Sequence, residues 1–274
     1  MTDQGERYDR MAAGYERWWA PVLAPSALAV LDLLEPTVAG GACDLIDIGV
    51  GTGNLARPAL VRWPDVRVTG IDASSEMLGA ARTLIDDLGE AAGRRFTGAV
   101  ADAGALPYPE ASFDAAMSSF VLQLVGNRSR ALREIRRVLR PGGHLAYVSW
   151  IADRSPFAPD RMFDALLAEA GYDEEPDPPR NGDLPSAERA AGELRHAGFR
   201  DVTATRADLA HDFGVDGYIG FLTDFDEETL FDEMPRRERH RFLARLRERL
   251  MALEPNELVF RAPIVYATGR RSDG

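Results

Sequence analysis

The stretch CDLIDIGVGTGN at residues 43–54 places a short apolar run directly before a glycine-rich turn, and it decides the fold. The run at 43–49 is typical of a buried parallel strand, because such strands have helices over both faces. Glycines in the turn allow a tight bend and let a ligand approach the main chain closely. The N–H groups at the start of the helix that follows can bind a negatively charged group. The stretch therefore predicts the first strand–turn–helix unit of a ligand-binding α/β sheet.

Helix and strand patterns alternate outward from this turn. The predicted strands span 43–49, 66–73, 94–102, 113–120, 144–150, 201–209 and 258–270. The predicted helices span 28–34 (ending before Pro36), 54–63, 76–89 (capped by Ser74 or Ser75), 128–139 (closed by Pro141), 162–170 and 187–196, followed by a mostly helical insert at 211–255. This alternation predicts a parallel sheet with helices on both faces.

The composition of the chain argues against several classes of function. The sequence has no lysine, so it offers neither a Schiff-base lysine for pyridoxal phosphate nor a Walker-loop lysine. A formal net charge of −12 argues against a nucleic acid or an anionic membrane as partner. One cysteine excludes an intrachain disulfide and a cysteine-rich zinc cluster, and no histidine pair has zinc-ligand spacing, so no metal site is predicted. The N-terminus lacks the apolar core of a signal peptide and no apolar run approaches about 20 residues, which predicts a cytoplasmic protein without membrane insertion.

Polar residues around the glycine turn distinguish between two kinds of cofactor. The dinucleotide fingerprint of nicotinamide enzymes asks for glycine or alanine at position 54, where this sequence has Asn54. Asp47, two residues before the first glycine, suits an amino-acid ammonium and is unfavourable beside a pyrophosphate. Asp72, at the end of the second strand, can accept from ribose hydroxyls in either kind of enzyme. The pattern favours a zwitterionic, sulfonium-bearing cofactor, and an NAD(P)-dependent oxidoreductase is the alternative.

Four motifs in order carry a family resemblance over residues 43–150. They are LIDIGVGTGNLA (45–56), VTGIDASSEML (68–78), ADAGALPYPEASFDAAMSS (101–119) and ALREIRRVLRPGGHLAYVSW (131–150). With these motifs the chain resembles the class I S-adenosylmethionine-dependent methyltransferases, especially the branch similar to the ubiquinone/menaquinone-biosynthesis enzymes. YDRMAAGYERWW (8–19) adds a looser similarity. The resemblance implies a doubly wound, seven-stranded, mostly parallel sheet whose last strand is antiparallel.

The resemblance also implies one domain over residues 1–274. Its expected parts are an N-terminal helical lid (1–27), a cofactor-binding core (28–150), an acceptor-side region (151–210), a helical insert (211–257) and the last strand (258–270). The implied cofactor contacts are Asp47 at the ammonium; Gly49, Gly51 and Gly53 under the methionine part; Asp72 at the ribose hydroxyls; Ala73 and Met77 beside the adenine; Asp102 at its amino group; the Ala103 backbone at its ring nitrogen; Ser118 at the end of strand four; and Tyr8 and Tyr15 on the lid.

Two residues are candidates for a role in the chemistry. Many relatives carry a histidine pair shortly after strand four, where this chain has Gln123 and Leu124. Gln123 either orients the acceptor or is an exposed loop residue, and His211 is the one histidine considered as a general base. Because a sulfonium already carries a good leaving group, proximity and orientation can drive an in-line displacement without a base.

Aromatic residues in the lid and the insert predict an apolar or aromatic small-molecule acceptor. Trp18, Trp19, Gln123 and Phe221 are the candidate contacts, and packing beneath the lid is the alternative role for the aromatic ones. The predicted reaction is methyl transfer from S-adenosylmethionine, which leaves S-adenosylhomocysteine. A cofactor-binding protein without transfer activity is a second alternative.

Overall fold

A seven-stranded sheet forms the centre of the computed structural model, which describes residues 14–152, 156–172 and 182–273. The strands are β1 Asp44–Ile48, β2 Arg67–Asp72, β3 Phe96–Val100, β4 Phe113–Ser119, β5 Leu139–Trp150, β6 Phe199–Asp212 and β7 Val259–Arg271. Their order is β3-β2-β1-β4-β5-β7-β6. The pairs among β1 to β5 are parallel, whereas β7 runs antiparallel to both β5 and β6. The seven predicted strands and the antiparallel last strand are confirmed.

Helices cover both faces of the sheet. They are α1 Ala20–Ala39, α2 Ala56–Arg62, α3 Ser75–Asp86, α4 Glu90–Gly93, α5 Arg128–Val138, α6 Ala158–Ala170, α7 Ala187–His196, α8 Gly214–Phe221, α9 Glu228–Glu233 and α10 Arg236–Met251. Short π-helical turns lie at Tyr15–Trp19 and Leu222–Asp226, and a 3₁₀ turn lies at Pro255–Leu258. One buried cluster joins α1, α2 and α3 to the sheet, and a second joins α5 and α7 to its other face. The doubly wound architecture is therefore confirmed.

The first helix is longer than the sequence pattern predicts. The prediction of a helix that ends before Pro36 is wrong, because α1 continues through this proline to Ala39. Pro36 lies in the last turn, where its carbonyl still accepts from the N–H of Gly40 at 3.1 Å. Only the hydrogen bond that the proline nitrogen would have donated is lost, and so the helix tolerates the residue at this place.

The same helix is apolar because it packs in the core. By length and composition alone, the helical stretch Tyr15–Ala39 could cross a membrane, although the sequence pattern predicts no such run. The buried residues of α1 are Ala20, Val22, Leu23, Ser26, Ala27, Val30, Leu31 and Leu34. They pack against β4 and β5, which accounts for the apolar composition of this helix.

The insert between β6 and β7 builds a third hydrophobic cluster together with α6. Its buried aromatic residues include Phe163, Tyr218, Phe231 and Phe242. Trp18 and Trp19 of the N-terminal π-turn pack against this cluster. The insert therefore contacts the N-terminal turn.

Candidate active site

A cavity of about 360 Å³ lies at the carboxyl ends of β1, β2 and β4. The chain proceeds from β1 to β2 on one side and reaches β4 on the other, so the strand order reverses at this place. Doubly wound sheets bind their ligands at such a crevice. The lining residues are Tyr15, Asp47, Gly49, Val50, Gly51, Thr52, Asn54, Leu55, Ile71, Asp72, Ala73, Met77, Ala101, Asp102, Ala103, Gly104, Ser119, Phe120, Val121, Leu124, Val125, Gly126, Asn127 and Arg130.

Most of the residues that the sequence predicts at the cofactor meet at this cavity. They are Tyr15, Asp47, Gly49, Gly51, Asp72, Ala73, Met77, Asp102 and Ala103. Gly53 and Ser118 are not part of the wall. Tyr8 lies outside the residues that the structure describes. One concave site thus collects residues that are far apart in the sequence.

The glycine turn adopts backbone angles that favour glycine. Gly49 and Gly51 have φ of +71° and +54°, in the left-handed region. A Cβ atom on Gly49 would lie 2.4 Å from the side chain of Val121, whereas one on Gly51 would meet no atom of the described residues within 4 Å. Gly53, with φ of +96°, makes room for Arg57 instead, because a Cβ there would lie 3.1 Å from the arginine Cγ. Gly49 therefore lets the loop after β4 close against the turn.

Asp47 brings a buried carboxylate to the cavity wall. The residue is 1 % exposed, and its Oδ2 atom has no hydrogen-bond partner within the described part of the chain. Burial raises the pKa of this carboxyl well above its usual range, and repulsion from Asp72 raises it further, although the Ala56 N–H donates to the carboxylate. A buried acceptor without a partner is costly. A ligand that brings a positive charge to Oδ2 would remove that cost.

Asp72 joins the end of β2 to the glycine turn. One carboxylate oxygen accepts from the Gly51 N–H at 2.8 Å, and the other accepts from the Ser74 N–H at 3.0 Å. These bonds fix the carboxylate at the cavity wall. Ser74 also accepts from the Met77 N–H at 3.1 Å, so the predicted cap at the start of α3 is present.

The side of the cavity predicted to hold the adenine combines one exposed carboxylate with apolar walls. Asp102 accepts from the Gly104 N–H at 2.8 Å, and its side chain is exposed. Ala103 and Met77 are 8 % and 2 % exposed and line the same side. Apolar wall residues together with a carboxylate suit a ring that carries an exocyclic amino group.

The structure places Ser119 at the cavity wall, where the sequence predicts Ser118. Ser118 is fully buried, and its hydroxyl donates to the Ile48 carbonyl at 2.8 Å inside the sheet. Ser119 lines the cavity. Successive side chains of a strand point to opposite faces, so only one of two neighbouring residues can reach the cavity.

Gln123 is neither an exposed loop residue nor part of the cavity wall. It is 8 % exposed; its Nε2 donates to the Phe120 carbonyl at 2.6 Å, and its Oε1 accepts from the Ser149 hydroxyl at 2.9 Å. Phe120 lines the cavity with a φ of +54°, which is strained for a residue with a side chain. Gln123 thus ties this strained turn to β5.

The other predicted acceptor and base residues make their contacts elsewhere in the fold. Trp18 fills the space above Gly220, where a Cβ would lie 2.2 Å from the indole ring. Trp19 packs against the Phe221 ring, with centroids 5.7 Å apart. His211 lies on β6, three strands from β4, with its ring 4.7 Å from that of Phe213, and burial lowers its pKa. None of these four residues lines the cavity.

The sequence motifs do not predict several wall residues. Val121, Leu124 and Val125 line the cavity from the loop after β4, and Arg130 lines it from α5. Thr52 lines it from the glycine turn with 1 % exposure, and its hydroxyl donates to the Glu16 carboxylate. The apolar run VLQLV directly after strand four could have indicated the first three. The contact with Glu16 depends on the tertiary fold and has no local signal.

Comparisons with known proteins agree with this geometry. A sequence profile described as a methyltransferase domain matches residues 46–147, the part that builds most of the cavity. The demethylmenaquinone methyltransferase of Roseiflexus castenholzii is 31% identical over 204 residues, which is 70% of this chain and 79% of the relative. The chain belongs to the class I S-adenosylmethionine-dependent methyltransferases. Within this family it stands in the branch of the ubiquinone/menaquinone-biosynthesis enzymes.

Other relatives of the family match less of their own length. The ubiquinone/menaquinone biosynthesis C-methyltransferase UbiE of Dinoroseobacter shibae is 36% identical over 149 residues, 53% of this chain. The chain spans 55%, 59% and 58% of the length of three such UbiE proteins. Among solved structures, the [4+2]-cyclase SpnF is 25% identical with a TM-score of 0.56, over 90% of this chain and 82% of its own. Haemonchus contortus phosphoethanolamine N-methyltransferase 2, solved with S-adenosylmethionine, shares the fold at 19% identity and a TM-score of 0.54, over 90% of this chain and 52% of its own.

Proposed function

We propose that the protein transfers a methyl group from S-adenosylmethionine to an apolar, aromatic small molecule. The observation that carries this proposal is the buried Asp47 carboxylate, which lines the cavity and whose Oδ2 has no hydrogen-bond partner in the described residues. S-adenosylmethionine brings an ammonium and a sulfonium, and either cation relieves the repulsion between Asp47 and Asp72. The pyrophosphate of NAD(P) would add negative charge beside the same two carboxylates, which argues against the oxidoreductase alternative.

The cofactor contacts follow from the places of the wall residues. Asp47 accepts from the ammonium, and the Asp72 carboxylate, held by two backbone N–H groups, accepts from the ribose hydroxyls. Asp102 accepts from the adenine amino group, the Ala103 backbone meets the ring nitrogen, and Met77 packs beside the ring. In this arrangement the ammonium, the ribose hydroxyls and the adenine amino group each meet a carboxylate, which supports the fit.

The acceptor side of the cavity is apolar. Phe120, Val121, Leu124 and Val125 form its wall after β4. The Phe120 ring packs against Trp150, with ring centroids 4.3 Å apart, so an aromatic layer backs this wall. An apolar wall favours an aromatic acceptor. The relatives' names describe C-methylation in ubiquinone and menaquinone biosynthesis, so a hydroquinone ring is the first acceptor class that we propose.

The protein's part in the reaction is to bind, orient and exclude water. When bound, S-adenosylmethionine supplies an electrophilic methyl group on a sulfonium that leaves as a neutral thioether. Within the described residues, no histidine or cysteine lines the cavity. In the proposed step the acceptor, as a phenolate or an ionised hydroquinone, donates the electron pair of the new bond to the methyl carbon as the carbon–sulfur bond breaks. The proton displaced from the acceptor goes to water, and the walls align the acceptor with the methyl–sulfur axis.

Transfer of a radiolabelled methyl group tests the proposal. Purified protein is incubated with methyl-tritiated S-adenosylmethionine and a panel of hydroquinones, phenols, amines and carboxylic acids, beside an Asp72→Asn variant. We expect label in a hydroquinone or phenol and a strong loss of transfer in the variant. Cofactor binding without transfer to any acceptor would contradict the proposal and favour a cofactor-binding protein without transfer activity. The similarity to SpnF, which is a [4+2]-cyclase, is a reason to include this outcome in the test.

A further inference from the structure

Glu16 connects the N-terminal π-turn to the glycine turn under the cavity. Its Oε2 accepts from the Thr52 hydroxyl at 2.5 Å, and its Oε1 accepts from Arg57 Nη1 at 2.9 Å. Thr52 is buried in the glycine turn, and Arg57 lies in the first turn of α2. The side chains of Glu16 and Arg57 are only 32% and 33% exposed, so water screens this ion pair incompletely. One carboxylate therefore holds two successive segments of the cofactor site.

The neighbour of Glu16 in the chain is itself part of the cavity wall. Tyr15 lines the cavity and packs edge-on against Phe225, with ring centroids 6.3 Å apart. The position of this side chain over the cavity depends on where the π-turn sits. Glu16 supplies the contacts that fix the π-turn on the side of the glycine turn.

The insert holds the opposite side of the same π-turn. Trp18 occupies the space above Gly220, and Arg17 pairs with Asp224 at 3.5 Å. The Arg17 and Asp224 side chains are 69% and 43% exposed, and such exposed pairs contribute little. The π-turn is thus clamped between the insert, through packing, and the glycine turn, through the Glu16 carboxylate.

We propose that Glu16 is a positioning residue that holds Tyr15 over the cofactor cavity and thereby sets how slowly the cofactor leaves. The identity of the ligand in this inference rests on the proposed function. The carboxylate does not touch the reacting atoms; it acts through Tyr15 and Thr52. Because the clamp closes an existing site rather than attracting the ligand, its loss accelerates release more than it slows association.

Two measurements on Glu16→Ala test this proposal, with Arg17→Ala as the matched control on the same π-turn. The first is hydrogen exchange of the amides of residues 15–20 in the cofactor-free protein. The second is the release rate of S-adenosylhomocysteine, followed by stopped-flow displacement. We expect Glu16→Ala to accelerate both by about tenfold or more, the effect of one charge-assisted hydrogen bond, and Arg17→Ala to change either by less than about twofold.

Variants of Thr52 approach the same contact from the other side. Thr52→Val should accelerate the exchange and the release as Glu16→Ala does, and Thr52→Ser, which keeps the hydroxyl, should restore both. Melting temperatures establish that every variant is folded. Wild-type rates in Glu16→Ala, or equal effects of Glu16→Ala and Arg17→Ala, would overturn the proposal. A wild-type protein that binds no S-adenosylhomocysteine would instead contradict the proposed function, while the exchange measurement would still decide whether Glu16 holds the π-turn.

Discussion

Replacing Asp47 with asparagine should weaken cofactor binding while it stabilises the cofactor-free protein. The amide keeps an oxygen that can accept from the Ala56 N–H, and the shape of the side chain changes little. The substitution removes the charge that meets the ammonium. A hydrogen bond to a charged group contributes about 1.5–3 kcal/mol. We therefore expect the affinity for S-adenosylhomocysteine to fall by about ten- to a hundredfold.

The effect of the same substitution on stability depends on pH. Burial raises the pKa of Asp47, so the folded chain holds this proton more tightly than the unfolded chain does. Ionising the buried group costs stability as the pH rises above the ordinary carboxylate value of about 4 towards the raised folded value. The asparagine of Asp47→Asn does not ionise. The melting temperature of the variant should therefore exceed that of the wild-type protein by more at about pH 8 than at about pH 4. A difference of about 1 kcal/mol would appear as about 2–4 °C.

Calorimetric titration and thermal melts at the two pH values measure both effects. The comparison between pH values cancels any pH-independent cost of the amide group, because that cost is the same in both melts. Wild-type affinity in Asp47→Asn would refute the assignment of Asp47 to the cation. A melting-temperature difference that does not change with pH would refute the account of its buried charge.

Three further predictions concern the same cavity. Because a bound cation favours the ionised form of Asp47, binding of S-adenosylhomocysteine should release protons and should strengthen as the pH rises from about 5 to about 8. Calorimetry in buffers of different ionisation enthalpy measures this proton release. A binding enthalpy that is the same in every buffer would contradict the prediction. Gly49→Ala should lower the free energy of unfolding by about 1–3 kcal/mol more than Gly51→Ala, because both substitutions strain the backbone but only the first clashes with Val121. Urea unfolding measures the difference, and equal effects of the two substitutions would contradict the described turn geometry. Gln123→Leu should raise the KM for the acceptor more than the KM for S-adenosylmethionine, because the substitution removes the two hydrogen bonds that tie the turn at Phe120 to β5. An unchanged ratio of the two KM values would show that this turn does not position the acceptor.

The strand pattern predicts the sheet well because buried parallel strands are bounded by turns and glycines. The strand predicted at 66–73 is β2, Arg67–Asp72, and the helix predicted at 187–196 is α7, Ala187–His196. The error at Pro36 arises because a proline in a last helical turn breaks only one hydrogen bond. Local patterns are reliable where a sharp turn ends the element, and less so where tertiary packing extends it.

The site was predictable to the extent that its residues lie in local motifs. Asp47 and Asp72 follow from strand ends whose spacing to the glycine turn is fixed. Ser118 differs from the prediction because strand alternation makes a one-residue shift decisive. Gln123 and Glu16 could not be assigned, because their partners are set by how distant segments pack.

The central claim is that the cavity at the ends of β1, β2 and β4 binds S-adenosylmethionine. Calorimetric titration with S-adenosylhomocysteine, beside NAD and beside an Asp72→Ala variant, tests it most directly. The account predicts micromolar binding of S-adenosylhomocysteine, a substantial loss of that affinity in the variant and no measurable binding of NAD. Absence of binding by the wild-type protein, or tighter binding of NAD, would contradict it.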